Sequence, residues 1–327
     1  MVTLEGYIET IDAHAMGEAA RIVVGGIPEI HGQSMMDKKN YMKSTMDHIR
    51  KLLMHEPRGH LNMFGAILTE PCQEKCDMGV IFMDSGGYLN MCGHGTIASV
   101  TVAINNGLIE KKEKVLLDTP SGMVECYVSY EGNRVKEVSF INVPAFVLKK
   151  NVSVYVENTG YVYMDIAFGG SFFAIVDAEP FNLKLTIDEQ DKIAALGTAI
   201  RKAANEQLTV IHPEIPEINT IDLVEFSLKL GKNYYRNTVV FGDGQIDRSP
   251  CGTGTCAKLS TLTLDCGEHI IQESIIGSQF KGVIVDYTVV EDYKAIIPKI
   301  TGSAWVTGIH KFSLDLSDPY KEGFLLK

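Results

Sequence analysis

The segment SPCGTGTCAK (residues 249–258) repeats an earlier segment of the same chain, NMCGHGTIAS (90–99). Both contain the pattern C-G-x-G-T-x-A, which places Cys251 in the position of Cys92, 159 residues earlier. Five identical residues of unusual type, in the same order and about half a chain apart, indicate an internal duplication. The sequence therefore predicts two domains of similar fold, which the length of 327 residues allows.

Each copy of the pattern runs into an apolar segment. Residues 95–107 carry no charge, and residues 254–267 carry a lysine near their start and close at a glycine. If helical, both segments are apolar nearly all round, which predicts two buried helices. Amphipathic helices are predicted over 37–56 and over 186–207, the second with Thr186 as its N-cap. Strand-like runs rich in Val, Ile, Tyr and Phe dominate the rest of the chain.

The amino-acid composition argues against some classes of binding partner and indicates the cellular compartment of the protein. The chain has 30 Lys and Arg against 41 Asp and Glu, for a net charge of -11, which argues against nucleic acid or an anionic membrane as partner. No signal peptide is recognisable, and no apolar run approaches the roughly 18 residues of a membrane span. Seven cysteines are an odd number and unlike a disulfide framework, so we expect a cytoplasmic protein.

One interpretation of the repeated glycines is a dinucleotide site. GHGTIA and GTGTCA both match the loose G-x-G-x-x-A form of that fingerprint. The fingerprint needs a strand that runs directly into the glycines, whereas turn residues and Pro250 precede them here. A nicotinamide-dependent oxidoreductase is therefore kept as an alternative from another class.

A second interpretation is a metal or redox cysteine pair. Neither Cys72 with Cys76 nor Cys251 with Cys256 has C-x-x-C spacing, and neither pair is joined by a second set at zinc spacing. The residue that aligns with Cys256 in the repeat is Ile97, which predicts that Cys256 is a buried packing residue. The sequence predicts no metal site.

The third interpretation makes Cys92 and Cys251 a pair of proton carriers. Each stands at the start of a predicted helix, where backbone N–H groups and the helix dipole are expected to lower the pKa of a thiol. Two similar domains would supply one thiol to each side of a ligand, which suits inversion at a carbon atom. The alternative is that both cysteines only pack.

At the level of whole motifs, MCGHGTIA (91–98) and DRSPCGTGT (247–255) resemble the two catalytic motifs of the proline racemase family. That family also holds 4-hydroxyproline 2-epimerases and trans-3-hydroxyproline dehydratases, and the resemblance is strongest to the bacterial proline racemases. It extends over essentially the whole chain and includes GEAARIVVGGIP (17–28), EPRGHLNMFGAILTEPC (56–72) and DIAFGGSFFAIV (165–176).

The resemblance implies a fold of the α/β (α+β) class with two similar domains, like diaminopimelate epimerase. Each domain would be a curled sheet around a central buried helix, and a pseudo-two-fold axis would relate the two across the substrate cleft. We expect residues 1–127 with 303–327 to form the first domain and residues 128–302 the second. A homodimer is implied, with no pyridoxal phosphate or other cofactor and no metal.

The family's site residues carry over by motif. Cys92 and Cys251 would be the acid/base pair. The substrate would be bound by the backbone amides of Gly93, His94, Gly252 and Thr253 at its carboxylate, by His94 and Asp247 at its ammonium, and by Phe64 and Phe241 at its ring. Read from the residues alone, Asp247 could be a turn residue and the two phenylalanines core residues.

The same residues favour interconversion of L- and D-proline. An apolar wall at Phe64 and Phe241 suits an unsubstituted ring better than 4-hydroxyproline, whose epimerisation is the alternative within the class. The dehydratase branch typically has Thr where Cys251 stands. Ala13, Ala15 and Met16 depart from the family's S-H-T-x-G-E pattern, which leaves a non-catalytic amino-acid-binding protein as a further alternative.

Overall fold

The computed structural model describes residues 6–326. The chain forms two compact units, one made of the residues up to Phe140 together with those from Ser303 onward, the other of Ile141–Gly302.

The elements of the two units follow one another along the chain. The first part of the chain contains β1 (Tyr7–Ala15), β2 (Glu18–Gly25), α1 (Met35–Thr45), α2 (Asp47–Met54), β3 (Phe64–Thr69), β4 (Met78–Asp84), β5 (Tyr88–Leu89), α3 (Gly93–Asn105), β6 (Lys114–Thr119), β7 (Gly122–Glu131) and β8 (Arg134–Ile141). There follow β9 (Ala145–Val156), β10 (Gly160–Phe168), β11 (Phe172–Asp177), α4 (Gln190–Gln207), β12 (Ile221–Gly231), β13 (Tyr234–Phe241), β14 (Gln245–Ile246), α5 (Gly252–Ser260), β15 (His269–Glu273), β16 (Gln279–Val290), β17 (Tyr293–Gly302) and β18 (Ala304–Ser313).

The first unit is a curled sheet with the strand order β18-β1-β2-β3-β4-β6-β7-β8. Its neighbours run antiparallel except for the parallel pairs β2–β3 and β4–β6. The last strand in sequence, β18, pairs with the first, β1, and so completes this unit.

The second unit repeats that arrangement with the order β9-β10-β11-β12-β13-β15-β16-β17. Here the parallel pairs are β11–β12 and β13–β15, at the same places in the order. Strand β17 also pairs with β9 through Ala295 and Phe146, which closes the sheet on itself. The predicted fold, two similar curled sheets of one α/β pattern, is confirmed.

The end of the first unit lies later in the chain than the expected boundary after residue 127. That boundary falls inside β7, whose neighbours are β6 on one side and β8 on the other. Because the β7–β8 hairpin extends the first sheet, the chain leaves this unit only after Phe140.

The central helix of each sheet is the one that follows the repeated motif. In α3 every residue from Gly93 to Ile104 is buried, and the helix packs against β1, β2, β3 and β18. The α5 helix packs against β9, β10, β16 and β17 in the same way. Both predicted buried helices are therefore confirmed.

The α5 helix is shorter than predicted, since it ends at Ser260 rather than near Gly267. The Ser260 hydroxyl donates to the carbonyl of Ala257 and the Thr261 hydroxyl donates to that of Lys258. Side-chain hydroxyls that bind backbone carbonyls compete with the helical ladder, so they end the helix early.

The helix predicted over 37–56 is two helices that meet at Met46. The first opens with a capping box in which Ser34 and Asp37 bind each other's backbone N–H groups. It ends after Ser44 and Thr45, which are weaker helix formers, and Asp47 starts the second helix with an ion pair to Arg50.

The start of the helix predicted over 186–207 also differs. A 3₁₀ turn over Ile187–Glu189 precedes α4, and the Thr186 side chain makes no capping hydrogen bond to it. Thr186 is thus the N-cap residue of this turn, whereas Glu189 is the N-cap residue of α4. Among the helices within residues 6–326, none is long and apolar enough to cross a membrane.

Candidate active site

The two repeated cysteines occupy the same place at the start of the central helices. The Thr96 N–H donates to the carbonyl of Cys92 over 2.9 Å, and the Thr255 N–H donates to that of Cys251 over 2.8 Å. Each cysteine is thus the N-cap residue, and each is almost fully buried, with 9% and 6% of its surface exposed. The threonine of the shared motif makes the first hydrogen bond of each helix.

In the first unit the structure brings together three predicted site residues. The Sγ atom of Cys92 lies 3.4 Å from Nδ1 of His94, within reach of a thiol–imidazole hydrogen bond. The Phe64 ring meets the His94 ring edge to face, with ring centres 4.7 Å apart. Gly93, between the cysteine and the histidine, is buried in the first turn of α3.

A glycine three residues after each cysteine lets the thiol lie over the helix. A Cβ atom placed on Gly95 would be 3.1 Å from the Cys92 Sγ and 3.0 Å from the Phe82 ring. A Cβ atom on Gly254 would be 3.2 Å from the Cys251 Sγ. The second glycine of C-G-x-G therefore packs closely against the cysteine sulfur in both helices.

The backbone of Cys251 is held in a conformation that favours glycine, with φ +59° and ψ 107°. Such a conformation is strained for a residue with a side chain, and strain of this kind concentrates at functional sites. Neighbouring side chains hold it in place. The Cys251 N–H donates to Ser249 Oγ, and Asn237 Nδ2 donates to the Pro250 carbonyl over 2.7 Å.

The Cys251 thiol accepts a hydrogen bond from the Gly254 N–H over 3.4 Å, and Thr253 Oγ1 lies 3.7 Å from its sulfur. Burial raises the pKa of this thiol well above its ordinary value, and the nearby carboxylates of Asp247 and Glu225 raise it further. The expectation that the helix start lowers the pKa of Cys251 is therefore wrong. The Gly254 N–H and the Thr253 hydroxyl do act in that direction, but burial outweighs them.

Asp247 lies in the segment between β14 and Cys251 and is also nearly buried. Its Oδ1 atom accepts the N–H of Ser249 over 2.8 Å, and its own N–H donates to the Val239 carbonyl. The carboxylate therefore shapes the turn that leads to Cys251, as the alternative interpretation of this residue proposes. Ser249 links this carboxylate to the cysteine, because its N–H donates to Asp247 and its hydroxyl accepts the N–H of Cys251.

The other predicted residues of the second unit border the same helix start. Gly252 and Thr253 form the first turn of α5. Phe241 is the last residue of β13, half-buried and opposite Gln245 of β14. The turn at Gly169 packs onto Thr253 so closely that a Cβ atom there would lie 2.2 Å from the Thr253 carbonyl oxygen.

The positions that depart from the family pattern lie at the end of β1 and in the turn after it. Ala13 and Ala15 are buried in the strand, which packs against α3. Met16 has a left-handed φ of +49°, and its N–H donates to the Ser303 carbonyl. Small side chains fill positions 13 and 15, and the backbone of Met16 holds the turn.

Three buried polar residues under α5 were not predicted from the sequence. They are Glu225 in β12, Asn237 in β13 and Gln272 in β15. The available signal was an acidic residue within the apolar run LVEF (223–226), where a buried strand rarely carries a charge.

The remaining cysteines have other surroundings. Cys256 is fully buried in α5 and accepts a hydrogen bond from Asn142, and burial raises the pKa of its thiol to about 12. The prediction that Cys256 is a buried packing residue is confirmed. Cys72 and Cys76 are free thiols. Within the part of the chain that is described, no group of three or more His, Cys, Asp or Glu is arranged to hold a metal ion.

Comparison with known proteins identifies the family. The family model described as proline racemase matches residues 10–325, nearly the full length of the chain. The chain belongs to the proline racemase family. The glycine–cysteine motifs that start α3 and α5 both lie within the matched residues. Members named racemase and epimerase are isomerases, and this chain is an enzyme of that class.

Individual members of the proline racemase family show how broad it is. The chain is 48% identical to a proline racemase of Clostridioides difficile over 98% of both chains. It is 42% identical to a trans-3-hydroxy-L-proline dehydratase of Bacillus thuringiensis subsp. konkukian over 97% of both. A solved hydroxyproline epimerase of Agrobacterium vitis, with trans-4-hydroxy-L-proline bound, aligns with a TM-score of 0.89 at 29% identity, over 99% of this chain and 97% of that one.

Proposed function

We propose that this protein is a proline racemase that interconverts L- and D-proline without a cofactor, with Cys92 and Cys251 as its two proton carriers. The observation that carries the proposal is the repeated helix start. In each unit a buried cysteine is the N-cap residue of the central helix. Its carbonyl accepts the N–H of the threonine of the repeated motif, Thr96 in the first unit and Thr255 in the second.

The proposed reaction needs one thiolate and one thiol. The thiolate removes the α-proton from one face of the substrate, and the electron pair of the broken C–H bond stays on the α-carbon, in conjugation with the carboxylate. The opposite thiol then delivers its proton to the other face, which inverts the centre and leaves the two cysteines with their protonation states exchanged. The return reaction runs through the same steps from the other enantiomer.

The substrate's charged groups would be held by the residues around the two thiols. The first-turn amides of Gly93 and His94, and those of Gly252 and Thr253, carry the positive end of a helix dipole, which favours a carboxylate. His94 and Asp247 would receive the ammonium group, with His94 already 3.4 Å from the Cys92 sulfur.

The buried state of Cys251 fits the role of proton donor in the first half of a cycle. Because burial raises the pKa of this thiol, it is protonated at neutral pH before substrate binds. Cys92 would then be the proton acceptor in that half of the cycle, for the substrate enantiomer whose α-hydrogen faces it.

Proline is preferred over 4-hydroxyproline because both predicted ring contacts are phenylalanines. The half-buried side chains of Phe64 and Phe241 offer no partner for a ring hydroxyl. A hydroxyl pressed against them would cost about 1–3 kcal/mol, or roughly 5- to 150-fold in kcat/KM. The 48% identity to a proline racemase supports the same choice.

Isotope exchange in heavy water tests the reaction. Each proline enantiomer is expected to acquire α-deuterium while the optical rotation decays to zero. Absence of exchange with proline and with both hydroxyproline isomers would contradict the proposal, and binding without exchange would identify a non-catalytic amino-acid-binding protein.

A direct comparison of kcat/KM for L-proline and trans-4-hydroxy-L-proline on one preparation tests the substrate. The solved hydroxyproline epimerase makes epimerisation the second candidate function. A higher kcat/KM for trans-4-hydroxy-L-proline would replace the first candidate with the second.

The proposal includes a homodimer in the cytoplasm, as the family resemblance and the composition lead us to expect. Light scattering during gel filtration would give the mass in solution. A mass of one chain, 36.0 kDa, would contradict the dimer.

A further inference from the structure

A buried polar cluster beneath α5 carries an inference about how the second thiol is controlled. Its centre is Glu225, with 0% of its surface exposed. Gln272 Nε2 donates to Glu225 Oε1 over 2.6 Å, whereas Glu225 Oε2 has no hydrogen-bond partner among the described residues. Buried carboxyl oxygens are normally satisfied, so an unpartnered one calls for a reason.

The unpartnered oxygen lies against the turn that holds the Cys251 thiol. A Cβ atom on Gly254 would be 2.5 Å from Glu225 Oε2, so only glycine lets the carboxyl come this close. The N–H of the same glycine donates to the Cys251 sulfur. The Glu225 carboxyl and the thiol therefore border one residue in the first turn of α5.

The cluster also reaches the strained backbone just before the thiol. Asn237 lies beside Glu225 in the cluster, and its Nδ2 donates to the Pro250 carbonyl. Glu225 is thus linked to the surroundings of Cys251 on two sides.

This cluster is not a general feature of the duplicated fold. Strand β3, which takes the place of β12 in the first unit, reads FGAILT and contains no acid. In the parallel pair β2–β3, Gly65 lies opposite Arg21, whereas Glu225 lies opposite Ile175 in the parallel pair β11–β12. A buried acid at this place in one unit alone points to a task specific to Cys251.

The charge on Glu225 changes within the physiological range. Burial raises the pKa of this carboxyl to about 7, although Lys258 and the side-chain amides of Gln272 and Asn237 act to lower it. The other titratable groups that face it are Asp247, Cys251 and Cys256. A negative charge on Glu225 acts to raise the pKa of the Cys251 thiol.

We propose that Glu225 is a positioning residue that acts through Cys251, because its buried carboxyl borders the turn that holds the thiol and presents to it either a neutral acid or a negative charge. Neutral Glu225 allows the thiolate to form, and ionised Glu225 keeps the thiol protonated. This role rests on the proposed function, in which Cys251 must alternate between the two states.

The rate of alkylation of Cys251 by iodoacetamide tests the role, followed over about pH 6 to 10 by mass spectrometry of the Cys251 peptide. Glu225→Gln keeps the shape of the side chain and removes its charge. The Cys251 rates of wild type and variant are expected to coincide below about pH 6, where Glu225 is neutral in both. Above about pH 7 the variant is expected to react on the order of tenfold faster.

A second variant reduces the negative charge in the same direction as Glu225→Gln but leaves the carboxyl in place. Gln272→Leu removes the donor to Glu225 Oε1, which raises the pKa of Glu225 and so moves the slow phase of Cys251 alkylation to higher pH. Cys92 in the same samples is the internal control, since its rate profile should be the same in all three proteins.

Three outcomes would overturn the role of Glu225. They are coincident Cys251 profiles for wild type and Glu225→Gln above about pH 7, an equal change at Cys92, or no alkylation of Cys251 in any of the proteins. If Glu225→Gln does not fold, an unchanged profile in Gln272→Leu decides against it. Alkylation needs no turnover, so absence of α-proton exchange in the wild type marks a failure of the proposed function and leaves this readout intact.

Discussion

The two thiols have different surroundings although they stand at equivalent positions. Cys92 has extended backbone angles and a histidine ring beside its sulfur, whereas Cys251 has a left-handed backbone and a backbone N–H as donor. A reaction that runs in both directions needs both thiols to change protonation state. In the proposed reaction, Cys251 would start as the proton donor, because burial raises the pKa of its thiol.

Replacing either thiol by a hydroxyl is expected to stop racemisation. Cys92→Ser and Cys251→Ser should each lower kcat on the order of 1,000-fold or more. A serine hydroxyl is a much weaker acid than a cysteine thiol, so it does not ionise at neutral pH. Cys256→Ala, which changes a cysteine of the same helix outside the proposed reaction, should retain activity. A fully active Cys251→Ser would remove this residue from the mechanism, as read by polarimetry.

The glycine three residues after each thiol provides a second prediction at this scale. Gly95→Ala and Gly254→Ala place a methyl group about 3 Å from the sulfur, so overpacking of about 1–3 kcal/mol must displace the thiol or the helix start. We expect at least about a tenfold loss of kcat from the misplaced thiol. Gly87→Ala, where a Cβ atom would meet no neighbour within 4 Å, is the matched control and should leave kcat unchanged.

At the scale of elements, β12 carries a buried acid beside the first turn of α5, where a core strand would normally be apolar. The β12 strand brings Glu225 under the helix, and β15 brings the amide of Gln272 that binds it. A buried acid of this kind couples the stability of the second unit to pH.

The sign of that coupling follows from the raised pKa of Glu225. The folded protein binds the Glu225 proton up to about pH 7, whereas the unfolded chain releases it near its ordinary value of 4.5. The contribution of Glu225 protonation to the free energy of unfolding is therefore fully present below about pH 4.5. It is lost as the pH rises to about 7, which lowers the free energy of unfolding by an amount on the order of 3 kcal/mol.

Glu225→Gln should remove that part of the pH dependence. The free energy of unfolding in urea, measured for both proteins at about pH 5 and 7.5, gives the comparison. Wild type should lose more stability between the two values than the variant. Equal losses would show that Glu225 does not keep its proton in the folded state.

At the scale of the whole molecule, the two sheets differ in how the chain completes them. The second unit is one continuous stretch, Ile141–Gly302, whose β17 pairs back with β9. The first unit needs β18 from the far end of the chain, where it pairs along the whole of β1. The Arg21 guanidinium, which binds Asp12, also lies over the ring of Phe312 near the end of β18.

Fragments of the chain should reflect this difference. Residues 141–302 are expected to fold alone with a cooperative thermal transition, because β17 pairs back with β9 and closes their sheet. Residues 1–140 are expected to aggregate or stay unfolded, because β1 keeps an unpaired edge without β18. Circular dichroism during heating measures both, and a folded fragment 1–140 would contradict the role of β18.

Much of the fold could be predicted from the sequence because duplication and hydrophobicity are local signals. The repeated C-G-x-G-T-x-A pattern predicted two similar domains, and the uncharged segment 95–107 predicted a buried helix, while the family resemblance implied the curled sheets. The same alignment separated Cys256 from Cys251. Helix ends were less predictable, since the hydroxyls of Ser260 and Thr261 end α5 by contacts that residue preferences do not encode.

The sequence by itself determined the fold class, the family and the two cysteines as the candidate acid/base pair. Only the tertiary structure decided the state of Cys251, because burial and two nearby carboxylates outweigh the helix start and raise the pKa of its thiol. Only the structure places Glu225 against Gly254, since β12 and α5 are far apart in sequence. Desolvation and charge proximity depend on which residues pack together, and that is a property of the folded chain.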